Sequence, residues 1–160
     1  MPTFWTGCGN RLRELACGIS AEDEWKFAGI EWFQNYILLG LQSEPHRDWH
    51  VVETGCDPGK ILAEMANLFE EVIGVHFSPD MVRSTGSRNR HLDNVKALLN
   101  DGKTLPIGIA FVDLVYSVLA LRYVNREAVE TNFSETNGVL LPAGILRFQI
   151  RRDIERRNSN

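Results

Sequence analysis

An α/β fold is what this sequence predicts: a doubly wound, mostly parallel sheet of about five strands preceded by an N-terminal helical segment. Two observations lead there. From residue 51 onward, short apolar runs alternate with stripes at helical spacing, and the helix starts between them carry caps and first-turn prolines. Strands that alternate with helices need right-handed crossovers, so they lie parallel with both faces covered.

The elements follow in chain order. Residues 1–19 hold Gly7, Gly9 and Gly18 without sustained periodicity and read as irregular or partly helical. Ser20 can cap a helix whose first turn gathers Glu22, Asp23 and Glu24, which suit the positive helix end, and whose stripe runs through Trp25, Ala28, Trp32, Tyr36 and Leu39 to a stop at Gly40. Beyond the polar stretch "SEPHRDWH", Val51 to Gly55 form a first strand. Pro58 then stands in a first helical turn, and Ile61, Leu62, Met65, Leu68 and Phe69 make one buried stripe. "EVIGVHF" is a second strand, and Ser78 with Pro79 starts a helix to about Arg90. "NVKALL" and "FVDLVYSVL" are the third and fourth strands. Asn125 caps a helix that Asn137 and Gly138 can end, and "GILRFQI" is a fifth strand after a Pro-Ala-Gly turn.

Composition bounds the function. A chain of 160 residues suits one domain and can bury roughly two thirds of its unfolded surface. The formal net charge of −4, from 21 acids and 17 bases, offers nothing global to a nucleic-acid backbone. The arginines at 147, 151, 152, 156 and 157 are interleaved with Asp153 and Glu155 and read as a solvated tail. Cys8, Cys17 and Cys56 are an odd number with no CxxC spacing and no histidine at ligand distance, which points to reduced thiols and no metal. No apolar run reaches the roughly 20 residues of a membrane span, and the N-terminus lacks a signal-peptide layout, so the expected location is cytoplasmic.

Parallel sheets take ligands outside the carboxyl ends of their strands, where strand order reverses. The turns at 55–59, 76–81, 100–102 and 117–123 therefore carry the expected site. Gly55 and Gly59 bracket the first, and glycine there permits positive φ and close approach of a ligand to backbone amides. Nucleotide pockets of this kind place an acid roughly 20 residues after the glycine turn to hold ribose hydroxyls. His76 occupies that place, and an imidazole can accept one such bond but cannot make the two-pronged carboxylate contact.

Taken together, "VVETGCDPG", "EVIGVHFSPDMV", "NDGKTLP", "FVDLVYSVLALRYV" and "VLLPAGILRFQI" resemble, in order and spacing, the successive motifs of class I S-adenosylmethionine-dependent methyltransferases, which have a Rossmann-like sheet. Glu53, Gly55, Cys56 and Gly59 match the first motif, and Asp57 replaces its middle glycine. The resemblance implies a division into an N-terminal helical cap segment (1–49), an S-adenosylmethionine-binding domain (50–150) and a basic polar tail (151–160). It also implies roles. The stretch from Glu53 through Asp57 to Gly59 faces the methionine half of the cofactor, His76 stands at the ribose position, and Phe77 and Met81 flank the adenine. Asp101 accepts the adenine amino group beside Gly102, Ser117 and Val118 lie near the sulfonium methyl, and Tyr123 stands where many relatives have a histidine. Among nominal bases, His50, His91, Asp113 and Tyr123, only Tyr123 draws support from that position.

The expected activity is methyl transfer from S-adenosylmethionine to a small-molecule acceptor, with the aromatic N-terminal helix helping to shape the acceptor pocket. No metal, nucleic acid or membrane is expected as a partner. The family's sheet normally continues through a sixth and an antiparallel seventh strand, so an exposed edge here leaves homo-oligomerisation open. The competing expectation is a methyltransferase-like binding or scaffolding domain without turnover. A nicotinamide-dependent oxidoreductase would want three glycines in the turn and an acid or arginine after the second strand, and this sequence offers neither cleanly.

Overall fold

The computed structural model describes residues 37–39, 41, 45–118, 120–122 and 124–148. Residues 1–19, the expected helix from Ser20 as far as Tyr36, Tyr123 and the tail from residue 151 lie outside the described residues; at that helix's expected end Leu39, placed in the apolar stripe, sits in a turn and is exposed, while Ile37 is buried instead. Strands β1 (His50–Thr54), β2 (Glu71–His76), β3 (Val95–Leu99), β4 (Val112–Ser117) and β5 (Leu140–Phe148) form one sheet in the order β3-β2-β1-β4-β5. Every pairing is parallel. Helices α1 (Lys60–Ala66), α2 (Pro79–Arg88) and α3 (Arg126–Val139) make the crossovers after β1, β2 and β4. The chain leaves the β3 edge through residues 100–111 and re-enters on the far side of β1, so strand order reverses between β1 and β4. The α/β, Rossmann-like architecture expected from the sequence is the one observed.

The alternation of side chains along each strand explains why both faces are dry. Val51, Val72, Leu114 and Tyr116 join Leu62, Met65 and Phe69 in one buried cluster, whereas their neighbours Val52, Ile73 and Val115, with Val75, join Leu105 and Val139 in the other, which also takes Val112 from beyond the register shift in β4. Burying one such side chain contributes about 1.5–3 kcal/mol. The central strands are thus held from two sides, and their carboxyl ends become a fixed platform.

Local details differ from expectation in three places. Helix α1 ends at Ala66, so Leu68 drops out of the expected stripe and is exposed, while Phe69 turns back into the core and stacks on Trp49. Helix α2 stops at Arg88, and its cap residue Ser78 uses its backbone rather than its hydroxyl. Strand β5 begins at Leu140 directly after α3, which passes Asn137 and Gly138 and stops at Val139. The expected Pro-Ala-Gly turn is instead a bulge inside β5: Val112 pairs with Leu140 but Leu114 with Ile145, and Ala143 takes a positive φ of 69°. Asn125 caps α3 as expected, its side-chain oxygen accepting the Ala128 N–H at 2.8 Å.

Candidate functional site

The carboxyl ends of β1, β2, β3 and β4 bring most of the expected site residues to one edge of the sheet. The first turn leaves β1 through Gly55, with φ of 73°. A side chain at Gly55 would place its Cβ 2.2 Å from the Cβ of Ala120, so this glycine admits the turn that follows β4. The Gly55 and Cys56 amides both donate to the Val75 carbonyl, at 2.8 and 3.3 Å, and the Gly59 amide donates to Cys56 O at 2.8 Å. These N–H groups, expected to meet a ligand, close the turn itself. Gly59 opens α1 in the left-handed region and lies against Thr85 of α2 and its C-cap residue Asn89.

Two residues that sequence reasoning passed over, Thr85 of α2 and Asn89 at its C-cap, hold this turn. The Thr85 hydroxyl donates to the Asp57 carbonyl at 2.7 Å, and the Asn89 amide donates to the Gly59 carbonyl at 3.0 Å. Both side chains are buried. Their signal in the sequence is an i, i+4 polar pair on a helix that otherwise exposes its polar groups, and only the partner's position gives it meaning.

Glu53 and Tyr116 form a second buried pair, the tyrosine hydroxyl donating to Oε2 at 3.0 Å. Burial lifts the Glu53 carboxyl well above the usual carboxylate range; the Tyr116 hydroxyl pulls it partly back and the Asp57 charge adds to the rise. Burial, and the neighbouring Glu53, raise the Tyr116 phenol as well. The Cys56 thiol is pushed up to about 12, first by burial, so it is not a nucleophile. Lys60, at the start of α1, is lowered to about 8 by burial and by Arg88.

At the end of β2, His76 is buried and its Nδ1 accepts the Ser78 N–H at 2.9 Å. Its Nε2 lies 3.4 Å from Asp57 Oδ1. The acceptor nitrogen expected to meet a ribose hydroxyl is therefore occupied by the protein, because the β2–α2 turn folds the Ser78 amide back onto the ring. Phe77 stacks beside the imidazole with ring centroids 4.8 Å apart and remains 66% exposed. Leu99, at the end of β3, is exposed too, and Met81 is half-buried. Gly102, with φ of 80°, leaves space above the Phe77 Cβ, which is 3.9 Å from where a side chain would begin.

Asp101 is exposed, and its Oδ1 accepts the amides of Thr104 and Lys103 and the Thr104 hydroxyl at 2.7–3.0 Å. Those donors, the Thr104 amide first, hold its carboxyl below the usual range. Ser117 is buried, its hydroxyl donating to Thr54 O at 2.9 Å, and so pins the ends of β1 and β4 together; Val118 is buried next to it.

Three nominal bases sit elsewhere. His50 opens β1, and Asp113 Oδ2 accepts the His50 backbone N–H at 2.8 Å, so both lie at the amino end of the sheet. His91 lines a hollow at that same end with Arg47, Asp48, Glu70 and Asn94. Along a five-residue parallel strand the two ends are about 13 Å apart, too far for direct proton transfer.

Chemically, the carboxyl-end crevice offers exposed apolar side chains, Phe77 and Leu99, beside an open glycine, and carboxylates at 57 and 101. A flat purine can lie on the first, and hydroxyl, amino or cationic groups can meet the second. S-adenosylmethionine carries all of these features, and the residues present fit it. Among the described residues no cluster could hold a metal ion.

Comparison with known proteins agrees with this geometry. The chain is 27% identical over 107 residues to phosphoethanolamine N-methyltransferase 1 of Arabidopsis thaliana, a match that covers 66% of this chain and 22% of the plant protein. Its fold matches phosphoethanolamine N-methyltransferase 1 of Haemonchus contortus, solved with phosphoethanolamine and S-adenosylhomocysteine, at a TM-score of 0.63 and 18% identity, covering 85% of this chain and 34% of that one. It also matches geranyl diphosphate C-methyltransferase of Streptomyces coelicolor at a TM-score of 0.64 and 22% identity, covering 78% of this chain and 45% of that one. The chain thus spans about a fifth of the plant relative and less than half of these two solved structures. Residues 51–144 match the family described as Methyltransferase domain, a stretch that runs from β1 into β5 and contains every turn of the crevice. With the sheet order, the crevice and this match in agreement, the chain belongs to the methyltransferase-domain family.

Proposed function

We propose that the protein transfers a methyl group from S-adenosylmethionine to a small-molecule acceptor. The observation that carries this reading is the coincidence of the family match over residues 51–144 with a crevice at the strand-order reversal between β1 and β4. The acceptor class is supported by the net charge of −4, which disfavours nucleic acid, and by the small acceptors in the names of the Haemonchus and Streptomyces enzymes. No described helix is long and apolar enough to cross a membrane.

When bound, S-adenosylmethionine supplies a methyl carbon already activated by its sulfonium. The chain's part is to position and to exclude water. Phe77 and Leu99 offer apolar surface for the adenine, and Asp101 stands at the rim beside Gly102. Ser117 and Val118 hold the end of β4 against β1, so the place where the reacting atoms meet has a fixed wall. The acidic surroundings at Asp57 and Asp101 favour a ligand that carries positive charge. None of the described residues at the crevice is placed as a dedicated base, which suits an acceptor whose lone pair is already free.

Calorimetric titration of the whole chain with S-adenosylmethionine and S-adenosylhomocysteine tests the reading. Micromolar binding of both, followed by methyl transfer from labelled cofactor in an acceptor screen, is the expected result. A folded sample that gives no heat and no thermal shift at millimolar ligand overturns it.

A further inference from the structure

We propose that Asp57 supplies the carboxylate that receives the ribose hydroxyls in this site, a task usually given to an acid at the end of β2, and that His76 positions it. The inference rests on reading the crevice as an S-adenosylmethionine site.

The ring at position 76 cannot do the task itself. Its Nδ1 accepts the Ser78 N–H at 2.9 Å, so the proton is on Nε2 and the imidazole has no acceptor left. A ribose diol presents two O–H donors and needs an acceptor. The acceptor stands next to the histidine: Asp57 Oδ1 is 3.4 Å from Nε2. The two side chains differ in a telling way, since that of His76 is 10% exposed and that of Asp57 71%. One is built into the protein and the other faces outward. The imidazole meets the Asp57 carboxylate at Oδ1, and with 71% of that side chain exposed the carboxylate faces solvent, where a ligand can reach it.

Backbone geometry explains how an acid from the first turn gets there. Asp57 adopts φ of 47°, in the left-handed region that aspartate tolerates better than most residues, and the Thr85 hydroxyl anchors its carbonyl at 2.7 Å. A glycine would take this conformation without strain. The carboxylate is thus kept at a conformational cost, with its Oδ1 beside the buried imidazole. Relative to the usual arrangement the two turns have exchanged chemistry: the glycine position carries the acid, and the strand end carries the group that orients it.

The test is calorimetry on the whole chain with two ligands. S-adenosylhomocysteine has both the ribose and the amino-acid half, whereas 5′-methylthioadenosine keeps the ribose and lacks the amino acid. Asp57→Gly, which relieves the left-handed strain and so should fold, is expected to weaken both ligands about tenfold, the scale of one charge-assisted hydrogen bond. The double variant Asp57→Gly/His76→Asp, which restores the usual arrangement, should bring both back towards wild type. His76→Ala should weaken binding when Asp57 is present and add nothing to Asp57→Gly, a coupling that a purely structural histidine would not show. Unchanged affinities in Asp57→Gly overturn the proposal while leaving the cofactor reading intact. Loss for S-adenosylhomocysteine alone also overturns it, because Asp57 would then serve the methionine half. A wild-type chain that binds neither ligand removes the cofactor reading and this inference with it.

Discussion

The two ends of the sheet are made from the same five strands and have opposite characters. At the amino end side chains close on the backbone and on each other, Asp113 taking the His50 amide and Lys96 pairing with Glu71, and the positive-φ residues there, Ala110 and Ala143, lie in the connection before β4 and in the β5 bulge. At the carboxyl end the polypeptide departs from routine. Gly55, Asp57, Gly59 and Gly102 all have positive φ, Glu53 is a buried carboxyl, the Thr54 hydroxyl is buried without a partner, and Phe77 and Leu99 are left exposed. Parallel pairing is the cause, because it gathers every strand-to-helix turn on one edge. The difference lies in what each end gathers: the carboxyl end brings the glycine turns of several strands together in one crevice, which is where a ligand can meet backbone and side chains at once.

Substitutions can break that contrast, and the largest effect is expected at the first turn. Gly55→Ala combines a left-handed φ with a 2.2 Å clash on Ala120, and should lose about 3 kcal/mol in urea unfolding. If it proves neutral, the β1 and β4 turns are not in close contact and the platform is looser than described.

The buried pair comes next. Tyr116→Phe leaves Glu53 without its donor and should cost about 2 kcal/mol. The carboxyl also predicts a pH trend. In the folded protein Glu53 keeps its proton above the 4.5 of a free glutamate, so above that pH the unfolded chain binds fewer protons and stability falls as pH rises towards the raised folded value. Glu53→Gln should flatten this decline, as followed by thermal melts across a pH series. An unchanged slope would mean that Glu53 is already ionised in the native state.

At the amino end Asp113→Ala removes the acceptor of the His50 amide and should cost about 1 kcal/mol. Its affinity for S-adenosylhomocysteine should equal that of the wild type; a clear loss would join the two ends functionally and erase the distinction between them. Smallest is Gly86→Ala on the outer side of α2, where an added Cβ meets nothing within 4 Å. It should stabilise the chain by about 0.5 kcal/mol and leave cofactor affinity untouched.

Much of the site could be read in advance because its signals are local. Gly55 and Gly59 after a short apolar strand, Pro79 after a capping position and Asn125 before a helix each announce a backbone event within a few residues. Partnerships between turns could not be read. Nothing near Asp57 announces that it meets His76, nor does the "VDLVY" run announce that Tyr116 points at Glu53. The bulge in β5 was legible as chemistry, Pro-Ala-Gly, but not as placement, since whether those residues end a strand or interrupt one depends on what β4 presents opposite. Leu68 misled for a similar reason: it fits the apolar period, yet α1 stops two residues before it.

By itself the sequence determined the alternation of strand and helix, the parallel sheet and the edge on which a ligand would sit, because periodicity, caps and turn residues act over a few positions and leave few topologies open. Only the tertiary structure decided which nitrogen of His76 is spent on the backbone, which acid stands exposed beside it and which carboxyl is buried. Those properties depend on distances between side chains that are far apart in the chain and on the water their packing excludes, and neither is written in any one stretch of residues.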